Sequence, residues 1–277
     1  MEDLTNTDGA VEDDSRDQGL LAALGIQERS GLVSIVGGGG KSTLMFALGS
    51  ALPGPVVLTT TTRIFAAQTA LAPRWCSLDE DGWESRIGNS SDPLLVVGSV
   101  EGERAVGVPR ELPGALVARE TARWVVVEAD GSRMLPVKAP ADHEPVVPEE
   151  TSLLVVVAGI DALARPIAEV AHRPERVCEV TGLDASDRLD PAALARLLTS
   201  ERGGLKAAPS GARCVVFLNK VETDEEFLLA ARVAEAAADV GVADRVVAGA
   251  LARGVESGFT SWPGRNSETH GADGRAC

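Results

Sequence analysis

The chain has no tyrosine, four lysines in 277 residues and only 3% aromatic residues, so basic or aromatic surfaces are scarce. A net charge of −15 adds to this, because nucleic acid and anionic membranes would both be repelled, and neither is expected as a partner. Cys76, Cys178, Cys214 and Cys277 form no CxxC pair, which leaves a disulfide framework or a zinc site without support, and Cys214 opens an apolar run as a core residue would. No apolar run reaches the roughly 18 residues of a membrane span. The N-terminus is acidic rather than basic and apolar, so a reducing cytoplasm is the expected location. Acidic residues with little lysine suit a protein working in concentrated salt, and a GC-rich genome produces the same Arg-for-Lys bias.

What is present is organised around Leu32 to Thr43, reading LVSIVGGGGKST. Leu32 to Val36 is a β-branched run with no helical period, as in a strand buried on both faces. Four glycines follow, then Lys41, Ser42, Thr43 and a helical apolar pattern. Strand, glycine turn and helix form the layout of a phosphate-binding loop, in which backbone N–H groups and a helix N-terminus meet an anion. Gly37, Gly38, Gly39, Gly40, Lys41, Ser42 and Thr43 are the candidate nucleotide contacts. Lys41 would reach the terminal phosphates and Ser42 a Mg2+ ion. The position where a strict Walker A motif has its first glycine holds Ile35, so the loop is a shortened variant that resembles those of Mur-type ligases. Lys41 is expected to serve the ligand and not the fold.

Residues 1–18 carry seven acids against Arg16 alone and read as a disordered tail; residues 19–254 read as one nucleotide-binding domain and residues 255–277 as a loose tail. Within the domain Pro55 to Thr60 is a second buried strand that runs into Thr61 and Thr62. Ligands bind at strand carboxyl ends in open parallel sheets, so Thr61 is a candidate metal ligand, although threonine is also simply a good strand former. Residues 67–114 look less regular, with one short strand at Pro93 to Val100, as an insertion or lid after the second strand would. Trp124 to Val127 is a strand followed by Glu128 and Asp130, the layout of a Walker B element whose carboxylate holds magnesium. Four prolines then stiffen Arg133 to Pro148, where Lys138 and His143, the latter followed by Glu144, are candidates for handling a second substrate.

Ser152 to Val157 is another core strand, and Asp161 to Ala171 reads as a helix after which His172 and Arg173 either face the site or cap a solvated end. Asp190 to Arg202 is a helix with Asp190 as N-cap. Arg213 to Leu218 is a strand leading into Asn219, Lys220 and Glu222, similar to the NKxD element that reads guanine, with Glu in place of Asp. Thr223 to Val240 is helical and Arg245 to Leu251 closes the sheet. Strands alternating with helices give an α/β fold of the P-loop NTPase-like kind, mainly parallel, with helices on both faces. The expected ligands are Mg2+ and ATP, with GTP the alternative.

GGGGKSTLMFALG, VVLTTTTRIF, VVVEADGSRMLPVKAPADHEPVVP and VVVAGIDALARP…HRPERV together resemble the YqeC-type family of accessory proteins for selenium-dependent molybdenum hydroxylases. The resemblance implies a cytoplasmic nucleotide-dependent factor in selenium cofactor biosynthesis. A selenium or molybdenum cofactor species and a molybdenum hydroxylase would then be its partners. Besides a nucleoside triphosphatase, a ligase or kinase acting on a small anion and a non-hydrolysing cofactor carrier fit the same residues.

Overall fold

The computed structural model describes residues 19–251 and 258–264. The expected tail at 1–18 lies outside them, as does most of that at 255–277. A nine-stranded sheet runs through the molecule. Its strands are β1 (Gly31–Gly37), β2 (Val56–Thr60), β3 (Arg74–Ser77), β4 (Leu94–Val97), β5 (Trp124–Glu128), β6 (Leu153–Gly159), β7 (Arg213–Asn219), β8 (Arg245–Gly249) and β9 (Thr260–Pro263). They lie in the order β9-β8-β7-β6-β1-β5-β2-β4-β3. Every pairing is parallel except that of β9 with β8.

The strands are apolar along their length because both faces are covered. Leu32 and Val36 of β1 point into one core, whereas Val33 and Ile35 point into the other. Helix α1 (Lys41–Ala51) packs Leu44, Met45 and Leu48 onto the second of these faces. The first is covered by α2 (Leu112–Ala118), α4 (Pro191–Thr199) and α5 (Asp224–Val240), through residues such as Leu116, Leu194, Leu197 and Val233; α3 (Pro174–Thr181) adds Val177. The expected α/β architecture is therefore the observed one. Asp190 caps α4 by accepting from the Ala193 N–H at 2.8 Å, and α5 begins with a Thr223–Glu226 capping box. Cys214 is buried, and burial pushes its thiol up to about 11, as a core cysteine requires.

Three expectations need correction. Residues 67–114 are not a separate insertion or lid, because they contribute β3 and β4 to the central sheet, where Leu94 to Val97 are fully buried. The segment after Gly254 is not loose throughout, since Thr260–Pro263 closes the sheet as an antiparallel edge and Trp262 packs against Phe227. Asp161 to Ala171 is not one helix. Pro166 divides it into a 3-10 turn at Ile160–Ala162 and a single helical turn at Ile167–Val170. Residues Ala171–His172 then pair in parallel with Val137–Lys138, and this small ladder draws His172 and Arg173 onto the proline-rich loop.

Candidate functional site

The glycine loop leaves the middle strand of the sheet, with Glu128 brought alongside it by the register Ile35↔Glu128 between β1 and β5. Its glycines are required by close backbone approach. A Cβ on Gly37, whose φ is +100°, would lie 2.2 Å from the Val157 carbonyl oxygen, and one on Gly39 would lie 2.2 Å from the Gly159 nitrogen. The N–H groups of these glycines point into the protein: Gly37 donates to the Asp130 carboxylate (3.1 and 3.2 Å), Gly38 to Val157 O (2.8 Å) and Gly39 to Leu135 O (3.1 Å). The expectation that Gly37, Gly38 and Gly39 present donors to an anion is thereby corrected. The first turn of α1, from Lys41 to Thr43, has no side-chain cap for its N–H groups.

Ser42 Oγ donates to Glu128 Oε2 at 2.7 Å, and Gln68 Nε2 donates to Ser42 Oγ at 3.1 Å. Lys41 is folded back over the loop, donating to Gly37 O at 2.8 Å, with Asp130 at 3.3 Å and Glu128 at 3.7 Å. Only 3% of its side chain is exposed, and it lies against two buried acids, so in the folded chain Lys41 has protein partners of its own in addition to any ligand. From Asp130 the row of charges continues through Lys138 (3.1 Å) and Glu144 (2.8 Å) to Arg173 (2.8 Å), three acids alternating with three bases in a chain of net charge −15. Burial alone would raise the Glu144 carboxyl. The hydrogen bonds and charges of Lys138 and Arg173 outweigh it and bring the group down to about 2. The other two lysines lie at this same end: Lys206 donates to Ala141 O at 2.6 Å, and Lys220 pairs with Asp161 at 2.7 Å.

Other candidates are placed differently from what their neighbours in sequence suggest. Thr61 does not present its hydroxyl to a metal, because Oγ1 donates to Val146 O at 2.7 Å. Asp130 is held by Gly37 and the two lysines, which leaves Glu128 as the carboxylate on Ser42. His143 is exposed, and Glu144 turns inward to Lys138 and Arg173, so Glu144 does not orient His143. Asn219 is buried with both amide ends engaged, donating to Gly39 O at 2.7 Å and accepting from the Leu251 N–H at 3.1 Å. Glu222 lines a cleft of about 160 Å³ with Asp224, Phe227 and Gly249. Gln68 was not foreseen, since a lone glutamine 26 residues from Ser42 carries no spacing signal.

Among the described residues no three His, Cys, Asp or Glu side chains gather as a metal cage. Ser42 and Glu128 are the residues that could hold a magnesium ion, if further oxygen ligands came from a bound phosphate and water. No helix among the described residues is long and apolar enough to cross a membrane.

The YqeC protein family profile matches residues 33–175, from within β1 to the first turn of α3. The chain belongs to the YqeC family. A protein of Escherichia coli (strain K12) described as the uncharacterized protein YqeC is 30% identical over 205 residues, which cover 73% of this chain and 80% of that protein. The segment matched to the YqeC profile contains the glycine loop, Glu128, Asp130, Lys138 and Arg173, whereas Asn219 to Glu222 lie beyond it.

Proposed function

We propose that the chain is a magnesium-dependent nucleotide-binding protein, acting as a nucleoside triphosphatase in the maturation of selenium-dependent molybdenum hydroxylases. The observation that carries the nucleotide reading is the Ser42–Glu128 hydrogen bond of 2.7 Å at the uncapped start of α1. A hydroxyl and a carboxylate in contact beside an uncapped helix start suit a metal–phosphate pair, which supplies charge stabilisation when bound. Lys41 sits within the same turn and would exchange its contacts with Glu128 and Asp130 for phosphate oxygens. The selenium pathway rests on the family resemblance alone.

A ligase or kinase acting on a small anion is the second reading, favoured by the loop from Gly131 to Pro136 that lies directly on the glycine loop through Gly39 N–H to Leu135 O. Calorimetry with ATP and GTP, with and without magnesium, tests binding. Phosphate release then separates a triphosphatase from a carrier that only binds nucleotide, and a substrate-dependent rise in ADP marks the ligase or kinase. A chain that binds neither nucleotide removes the proposal.

A further inference from the structure

We propose that Gln68 is a positioning residue for the metal site, holding the Ser42 hydroxyl so that its proton goes to Glu128 and one lone pair is left for the ion. The role rests on the nucleotide reading for what that ion accompanies, a reading that gives Gln68 itself no part.

The orientation of the Gln68 amide is settled by its neighbours. Its Oε1 accepts from the Phe65 backbone N–H at 3.0 Å, and a backbone N–H can only donate, so the amide oxygen must be on that side. The amide nitrogen therefore faces Ser42 Oγ, at 3.1 Å. A serine hydroxyl has one proton and two lone pairs. Gln68 occupies one lone pair, so the proton must be given elsewhere, and Glu128 Oε2 takes it at 2.7 Å. One lone pair remains. Because Oγ is held from two sides, the Ser42 side chain is fixed in one rotamer and the remaining lone pair keeps a single direction.

The fold anchors Gln68 at both ends of its segment. It lies in the 3-10 helix Ala66–Leu71, between Ile64 and Ala72, and these two are buried in the same core as Leu44 and Met45 of α1, the helix that carries Ser42. Ile64–Phe65 pairs antiparallel with Arg104–Ala105, and the Ala66 N–H donates to Glu103 O at 2.9 Å. Thr69 Oγ1 donates to Ala66 O at 2.7 Å and ties the turn around Gln68 together. A side chain that directs a ligand must itself be supported in this way. The bond to the Phe65 N–H alone would make Gln68 a part of the fold, whereas the bond to Ser42 is what a metal-dependent measurement reads.

The test measures ATP affinity by calorimetry, with magnesium and with the metal chelated, in the full-length unaltered protein, Gln68→Met, Ser42→Ala and the double variant. Methionine keeps the length of the side chain and has no N–H to donate. With magnesium, Gln68→Met should weaken ATP binding about fivefold, the effect of one hydrogen bond. With the metal chelated it should bind ATP as the unaltered chain does, and in the Ser42→Ala background it should cost nothing further. The same loss with and without metal, the same loss in both backgrounds, or no loss at all overturns the role. Manganese alone, followed by NMR as broadening of the Ser42 amide signal, gives a readout independent of nucleotide, in which Gln68→Met should need about fivefold more ion. ATP that binds none of the chains sinks the nucleotide reading. The manganese difference would then leave Gln68 in its role, and equal manganese curves would remove it as well.

Discussion

Ser42 Oγ lies 2.7 Å from Glu128 Oε2, although 86 residues separate them in the chain. The contact exists because β5 pairs with β1 in a register that sets the end of one strand against the start of the helix that follows the other. Asp130, two residues on, is turned to the Gly37 N–H and the lysines. The two carboxylates thus have separable roles.

Glu128→Gln should therefore raise the magnesium concentration needed for half-maximal nucleotide turnover at least tenfold, because an amide ligates the ion poorly. Asp130→Asn should instead lower stability with a smaller change in magnesium dependence. Magnesium titrations of both variants, alongside thermal melts, distinguish these outcomes. Equal magnesium curves for Glu128→Gln and the unaltered protein would contradict the assignment.

Lys41→Ala should lose both nucleotide affinity and stability. Removing one partner of a buried pair typically costs about 3–5 kcal/mol, since it leaves the other charge uncompensated. Here Glu128 and Asp130 lose a shared cation while Lys138 still partners Asp130, which places the expected loss at the lower end, about 3 kcal/mol. Chemical denaturation of the ligand-free protein measures it, and an unchanged midpoint would mean that Lys41 serves the ligand alone.

Glu144 predicts an acid limb. Its carboxyl is lowered from 4.5 to about 2 in the folded chain, so its stabilising contribution is complete above 4.5 and is lost as pH falls toward 2. The melting temperature should decline over this window, and the decline should be shallower in Glu144→Gln, which no longer titrates. Parallel pH profiles for the two proteins would show that Glu144 is not what titrates.

Asn219→Ala separates a loop-holding role from a base-reading one. The substitution strands Gly39 O and the Leu251 N–H, at about 1–3 kcal/mol for each buried group left unsatisfied. Nucleotide affinity should fall equally for ATP and GTP. A change confined to GTP in competition binding would restore the guanine reading of Asn219 to Glu222.

The central strands were legible because burial on both faces leaves continuous apolar runs rich in β-branched residues, such as Leu153 to Val157. Glu128 was legible for a related reason, since it follows directly on such a run, and Lys41 and Ser42 because they follow one after four glycines. The short edge strands Arg74–Ser77 and Thr260–Pro263 were not, as four residues with mixed burial carry too little pattern. His143 drew attention by its neighbour Glu144, yet Glu144 turned inward and His143 stayed outside. His172 and Arg173 were visible as residues, but the ladder to Val137–Lys138 that brings them to the site depends on a break at Pro166 within an apparently helical stretch. Tertiary pairing of this kind leaves no local signal.

The most direct measurement is isothermal titration of ATP into the purified protein with magnesium and again with the metal chelated, on the unaltered chain and on Ser42→Ala. The account predicts saturable one-to-one binding with magnesium, weakened at least tenfold by chelation. In Ser42→Ala the affinity should approach the chelated value and no longer respond to the metal. Absence of binding under all conditions, or binding that neither chelation nor Ser42→Ala affects, would contradict it.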